Sequence, residues 1–374
     1  LKGRRSSWLE RFLEDAKTLT KYDVGITSER LARRLGVDPS EILKLNSNEN
    51  LFIPLDFLRG LLKEVVEEVD PRFYPRDERI EVEEELARCL KVHRDQIVLG
   101  SGSDQLIELL TYAFLDRGEK ALSITPTFSI YERAVRTRGA HYVSVPLMED
   151  FSLNVERMLR LAEAEEAKVL FICSPNNPTA NQFRLEDVKG LIEGFDWLVV
   201  LDETYVDFAT YSMVDLTREY ENLVVLRTFS KVFGIAGLRL GYAVSNVDVS
   251  SALRERFQMP YPVSSVTLRM GLKLLRNLDL IKEKIESLKE ERATLIRRLS
   301  EMEGVKPFNS ETNFVLMNLT EMSSDEAYRR LLDQGIIVRN IGRVLNLENC
   351  IRVTVAPRPM MERFLETFRR IIGR

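Results

Sequence analysis

Leu223-Val224-Val225-Leu226-Arg227-Thr228-Phe229-Ser230-Lys231-Val232-Phe233-Gly234-Ile235-Ala236-Gly237-Leu238-Arg239-Leu240-Gly241-Tyr242 is the stretch from which the chain is best read. The apolar run Leu223 to Leu226 reads as a buried strand. It delivers the polar cluster Thr228, Ser230 and Lys231 and then a glycine-spaced loop ending at Arg239. A lysine set between hydroxyls, with an arginine just downstream, suits an amine that condenses with an aldehyde while its neighbours hold a phosphate.

Working outward, the same arrangement recurs. Gln96 to Leu99 reads as a strand, and Gly100-Ser101-Gly102-Ser103-Asp104 turns directly into a helix over Gln105 to Phe114. A glycine-bearing loop feeding a helix N-terminus is a ready anion site, because free backbone N–H groups and the helix dipole face one point. Gln105 departs from a dinucleotide G-x-G-x-x-G fingerprint. Ala121 to Ile124 is a strand ending near Phe128, and Tyr142 to Val145 another. Lys168 to Cys173 runs into Ser174-Pro175-Asn176-Asn177-Pro178-Thr179-Ala180, and Trp197 to Leu201 presents Asp202-Glu203-Thr204-Tyr205. Buried strands alternating with helical segments indicate a largely parallel sheet covered on both faces. Ligands bind at the carboxyl ends of such strands. Ser103, Phe128, Asn177, Asp202, Tyr205 and Lys231 all follow strands and are expected along one edge.

Toward the N-terminus, Ser28 reads as the cap of a helix over Glu29 to Leu35 stopped by Gly36. Asn46-Ser47-Asn48-Glu49-Asn50 suits a turn or amides lining a substrate pocket, and Tyr74, ahead of Pro75, must be extended or in a turn. A helix is expected from about Arg79 to Lys91. Beyond Tyr261-Pro262 the pattern changes. Ile281, Ile285, Leu288, Leu295 and Leu299 mark a long amphipathic helix. Strands follow within Val305 to Asn318, at Ile336 to Val338 and at Ile351 to Val355, before a closing helix over residues 359–372. Arg352, inside a short strand, offers a bidentate fork to an anion.

The bulk numbers bound the alternatives. The chain has 374 residues, enough for two or three domains. Lys and Arg total 54 against 58 Asp and Glu, a net charge of −4 that lacks the basic excess of a nucleic-acid binder. Arg4, Arg5 and Arg11 form a short basic opening that reads as solvated. Cys89, Cys173 and Cys350, odd in number and far apart, suggest free thiols in a reducing compartment, hence the cytoplasm. No apolar run approaches the roughly 20 residues of a membrane span. His93 and His141 lack metal-ligand spacing, so neither a metal site nor a Ser-His-Asp mechanism is expected.

Together these segments resemble the fold-type I pyridoxal-phosphate aminotransferases of classes I and II, and within them the histidinol-phosphate aminotransferases, over roughly residues 40 to 360. The likeness rests on Ser174-Pro-Asn-Asn-Pro-Thr179, Leu201-Asp-Glu-Thr-Tyr205 and Ser230-Lys-Val-Phe-Gly-Ile-Ala-Gly-Leu-Arg-Leu-Gly241, with Asn48-Glu49-Asn50 and Ile351-Arg-Val-Thr-Val355 pointing to the histidinol-phosphate branch. It implies an α/β fold with a large cofactor-binding domain at 45–262, a mostly parallel central sheet flanked by helices. A smaller α/β domain at 263–374 follows, joined by segment 1–44. It also implies that Lys231 bonds the cofactor aldehyde and later carries a proton. Asp202 would pair with the pyridine nitrogen, Asn177 and Tyr205 with the ring oxygen, and Phe128 would stack on the ring. Ser103, Asp104, Thr228, Ser230 and Arg239 would surround the phosphate. Tyr74 would reach that phosphate from the second subunit of a homodimer. Arg352 would take the substrate α-carboxylate and Arg339 a distal phosphate, with Asn50 also at the substrate. The implied reaction passes an amino group from a small-molecule donor, histidinol phosphate, to a 2-oxo acid, 2-oxoglutarate, giving imidazole acetol phosphate and glutamate in histidine biosynthesis. An aromatic-amino-acid transaminase, a phosphothreonine-type decarboxylase and a non-catalytic regulator remain as alternatives. Two departures stand out: Ala180 where the family carries glycine, and Leu51-Phe52-Ile53-Pro54 where a Pro and a Gly are usual.

Overall fold

The computed structural model describes residues 7–19 and 24–373. Arg4 and Arg5 lie outside the described residues, and Arg11 is exposed on the helix Ser7–Thr18. A seven-stranded sheet organises the molecule. Its spatial order is Ile97–Gly100, Gly241–Val244, Leu223–Thr228, Leu198–Asp202, Val169–Cys173, Lys120–Thr125 and His141–Pro146. Only Gly241–Val244 runs against its neighbours. The central strands are buried along their whole length. Because side chains alternate across a strand, Leu170, Ile172, Val199 and Leu201 enter one core while Phe171, Cys173, Leu198 and Val200 enter another. Continuous apolar runs, rather than alternating ones, follow from that two-sided burial.

A second sheet, antiparallel and four-stranded, has the order Arg339–Val344, Leu347–Thr354, Phe314–Leu319 and Val305–Pro307. The stretch Val305 to Asn318 thus divides into two strands around the polar loop Phe308 to Asn313. The helix Ser324–Asp333 and the strand Arg339–Val344 are additions to the elements read from sequence. Leu43–Lys44 pairs in parallel with Ile336–Ile337, so the chain ahead of the large sheet is stitched to the later sheet region. Helix Ser28–Leu35 is capped by Thr27, not Ser28, with the Thr27 hydroxyl accepting from Arg30 N, and it stops at left-handed Gly36. The Leu278–Ser300 helix buries the expected leucine and isoleucine stripe. One apolar core runs without a break from Ile97, Leu99 and Tyr242 through Leu268 to Phe314, Phe364 and Phe368. No helix among the described residues is long and apolar enough to cross a membrane.

Candidate active site

The carboxyl ends of the parallel strands open into a cavity of about 500 Å³ that also takes in the loop Asn46 to Glu49 and the strands carrying Arg339 and Arg352. Lys231 lines it. Thr228 ends its strand in extended conformation and caps the short helix Phe229–Val232, its hydroxyl accepting from Ser230 N, so Lys231 projects from the first turn beyond the sheet. The Lys231 amine donates to Ser47 O at 3.1 Å and lies 6.0 Å from the centre of the Tyr205 ring. Burial, with the Arg352 cation nearby, lowers its pKa to about 8, so roughly a tenth is the neutral, nucleophilic amine at pH 7, far more than for an exposed lysine.

Asp202 ends the neighbouring strand and is 2% exposed. Its Oδ2 accepts from the Tyr131 phenol at 2.7 Å, and its Oδ1 accepts from Thr204 N at 3.0 Å and Thr204 Oγ1 at 2.5 Å. All three donors are neutral. Burial pushes the Asp202 carboxyl up, and the Thr204 and Tyr131 hydrogen bonds pull it back. Tyr131 is itself held in place, stacked on Phe171 with centroids 5.2 Å apart and edge-on to Phe128 at 5.8 Å. Burial and the adjacent Asp202 raise its phenol pKa well above the usual value, so the phenol keeps its proton and remains a donor.

At the other end of the cavity, the helix Gly102–Phe114 starts without a side-chain cap from Ser101. The helix begins three residues before Gln105, so Ser103 and Asp104 lie within its first turn and not ahead of it. Gly102 is left-handed, with φ of +78°, a backbone that favours glycine, and a Cβ there would also push the Arg239 guanidinium aside. Gly241 is equally constrained, since its Cβ would meet Ser103 N at 2.7 Å. Arg239 Nη2 pairs with Asp104 at 2.9 Å, and its Nη1 reaches Ser230 Oγ at 3.5 Å. Uncapped helix N–H groups, two hydroxyls and a guanidinium make a cup for a dianion.

The substrate side carries two arginines. Arg339 and Arg352 are direct cross-strand partners, which puts their side chains on one sheet face. Arg352 donates to Asn177 Oδ1 at 2.5 Å and Asn46 O at 2.8 Å, and its guanidinium lies 5.1 Å from the Phe314 ring centre. Tyr205, 4% exposed, accepts from Asn48 Nδ2 at 3.0 Å.

Lys231, Asp202, Tyr205, Ser103, Asp104, Phe128, Asn177, Thr228, Ser230, Arg239, Arg339 and Arg352 all line this cavity. Asn50, expected at the substrate, is not among the lining residues. Its Nδ2 donates to Val232 O at 2.9 Å and its Oδ1 accepts from Phe52 N at 3.0 Å, so the amide braces the Lys231 loop. Tyr74 is 75% exposed, outside the cavity of a single chain, and stacks on Tyr261 at 4.6 Å. Sequence reasoning passed over Thr204 and Tyr131, and it placed Asn48 only within a group of pocket amides, without its partner Tyr205. Thr204 had a local signal, two residues past an Asp in the pattern of an Asx turn. Tyr131 follows Phe128 by one helical turn. Among the described residues no His, Cys, Asp and Glu group has the makings of a metal site, and Cys89, Cys173 and Cys350 are free thiols.

These features fit one group. A buried carboxylate fed only by neutral donors matches a protonated ring nitrogen, the dianion cup matches a phosphate, and the lysine between them matches an aldehyde. The fold and site define a pyridoxal-phosphate enzyme of the open α/β type. Residues 40–368 match the family described as aminotransferase class I and II, and the chain belongs to that family. Similar curated proteins include the histidinol-phosphate aminotransferase of Thermoanaerobacter sp. (strain X514), 37% identical over 84% of this chain and 88% of that protein. That of Methanocaldococcus jannaschii is 32% identical over 96% of each chain. In fold, the histidinol-phosphate aminotransferase from Sinorhizobium meliloti in complex with pyridoxal-5'-phosphate superposes with a TM-score of 0.86, covering 97% of this chain and 98% of that one at 24% identity. The protein is a pyridoxal-phosphate-dependent aminotransferase.

Proposed function

We propose that this chain transfers the amino group of histidinol phosphate to 2-oxoglutarate, giving imidazole acetol phosphate and glutamate. The observation that carries the reading is the pair Arg339 and Arg352, neighbours on one sheet face in the same cavity as Lys231. Such a site must take two partners in turn. Glutamate presents two carboxylates, and histidinol phosphate presents one phosphate dianion and no carboxylate. Two adjacent guanidinium forks suit both. The relatives that carry this activity in their names, at 32–37% identity, support the same choice.

When bound, pyridoxal phosphate supplies an aldehyde for a primary amine and an electron-accepting ring that stabilises negative charge at the substrate Cα. Asp202 would hold the ring nitrogen protonated, with Thr204 and Tyr131 keeping the carboxylate ionised. Phe128 would cover the ring, and Asn177 and Tyr205 would donate to its oxygen. Ser103, Asp104, Thr228, Ser230 and Arg239 would hold the phosphate. Lys231 would bond the cofactor aldehyde, and its free amine, Nζ, would carry the proton taken from the substrate Cα. Exposed Phe73, Tyr74 and Met259, at 70%, 75% and 77%, support a homodimer in which Tyr74 serves the partner's phosphate cup, in a cytoplasmic enzyme.

The test is a half-reaction screen on the purified yellow protein, following the visible band. The band should fade with glutamate alone and with histidinol phosphate alone. A kcat/KM for histidinol phosphate at or below that for phenylalanine would make it an aromatic transaminase. Carbon dioxide released from O-phosphothreonine without amino transfer would make it a decarboxylase, and a band indifferent to every amine would end the transaminase reading.

A further inference from the structure

Asn48 sits at the junction of three parts of the chain. It is 2% exposed and holds a left-handed backbone, with φ of +54°, a conformation that asparagine tolerates better than most residues. Both of its backbone polar groups are tied down from the four-stranded sheet and its preceding loop. Asn48 N donates to Thr354 Oγ1 at 3.0 Å, and Asn48 O accepts from Asn313 Nδ2 at 2.8 Å. Only the side chain is left to face the catalytic cavity, and its Nδ2 donates to the Tyr205 phenol oxygen at 3.0 Å.

An amide nitrogen can only donate, whereas a phenol both donates and accepts. With its oxygen occupied as acceptor, Tyr205 has its own proton left to give elsewhere. The ring is fixed edge-on against Phe314 at 5.3 Å, so the phenol adapts by turning the O–H bond, not by moving the ring. We propose that Asn48 is a positioning residue for the transamination: by donating to Tyr205 it commits the phenol proton to the ring oxygen of the bound cofactor. This rests on the cofactor placement proposed above and adds a residue to it. A donor on that oxygen stabilises it as an anion and weakens its hold on the proton shared with the lysine nitrogen. Loss of the donor therefore raises the pH at which the holoenzyme's visible band titrates.

The experiment compares that midpoint in the wild-type holoenzyme, Asn48→Asp, Asn48→Gly, Tyr205→Phe and the Asn48→Asp/Tyr205→Phe double variant. Asp offers only acceptors and draws the phenol proton to itself, while Gly keeps the left-handed backbone and simply releases the phenol. The other titratable groups around the pair, namely Asp202, Arg352, Cys173, Glu49, Asp104 and Arg239, are unchanged in every variant. Tyr205→Phe should raise the midpoint by about one pH unit, the worth of one charge-assisted hydrogen bond. Asn48→Asp should match it, Asn48→Gly should raise it by less, and the double variant should go no further than Tyr205→Phe. A role confined to packing would lower the thermal midpoint and leave the spectral one in place. Wild-type midpoints in both Asn48 variants beside a shifted Tyr205→Phe overturn the inference alone. A Tyr205→Phe midpoint equal to wild type overturns the cofactor placement, and the inference with it.

Discussion

Replacing Tyr131 with Phe removes one hydroxyl and nothing else from the deepest part of the site. The phenol lies 2.7 Å from Asp202 Oδ2 and is fully buried. Phe keeps the stack on Phe171 and the edge contact with Phe128, which separates the hydrogen bond from the packing. A hydrogen bond to a buried charged group contributes about 1.5–3 kcal/mol, and one between neutral groups nearer 1 kcal/mol. The sign with pH follows from linkage. Burial already holds the Asp202 carboxyl above its ordinary pKa, so keeping it ionised costs stability at neutral pH, and Tyr131 offsets part of that cost. Losing the phenol raises the folded-state pKa further, so the penalty is full where Asp202 is ionised and shrinks as falling pH protonates it. The apoenzyme of Tyr131→Phe should therefore be about 2 kcal/mol less stable than wild type at pH 7.5. The gap should narrow as pH falls and Asp202 takes up a proton, because a charged hydrogen bond then gives way to a neutral one. Urea unfolding of both apoproteins as a function of pH measures it. A gap that stays constant with pH, or no gap at all, would refute the assignment of Tyr131 as the support of an ionised Asp202.

Three further outcomes follow from the same geometry. Since burial brings the Lys231 amine to about 8, the rate at which apoenzyme takes up pyridoxal phosphate should climb as pH rises through that value and level off above it. A stopped-flow profile flat from pH 6.5 to 9 would contradict this. Gly241→Ala forces a methyl to within 2.7 Å of Ser103 N, so the phosphate cup must open. Cofactor affinity should fall at least about tenfold, with overpacking of about 1–3 kcal/mol, and wild-type affinity by fluorescence titration would count against the cup. Ala180 is fully buried with φ of +67°, so Ala180→Gly relieves left-handed strain of about 1–2 kcal/mol while losing a buried methyl worth about 0.8 kcal/mol. Stability should hold within about 1 kcal/mol despite the lost burial, and a thermal-melt loss of twice that would show the backbone is not strained there.

Ala180 also shows how far sequence reading reached. The residue stood out as a departure from glycine, and the backbone explains why glycine is usual at that position. The strands Val169–Cys173, Leu198–Asp202 and Leu223–Thr228 were legible because two-sided burial writes unbroken apolar runs into the chain. Polar residues directly after those runs marked the ligand edge, since a parallel sheet sends its strand ends to one side. The strand Arg339–Val344 left a weaker trace, being only partly buried along its length and interrupted by Gly342.

Strand positions, the edge on which the chemistry gathers and the anion-binding character of the helix start were thus legible in local sequence, through periodicity and chain stiffness, whereas the order of the strands in the sheet was not. Only the tertiary structure decided who supports whom. Tyr131 meets Asp202 across 71 residues and Asn48 meets Tyr205 across 157, and such contacts leave no period in the sequence. Asn50, chemically identical to Asn48 and two residues away, braces a loop instead of facing the cavity. The difference lies in where the packed sheets leave each amide a partner, which no stretch of chain specifies by itself.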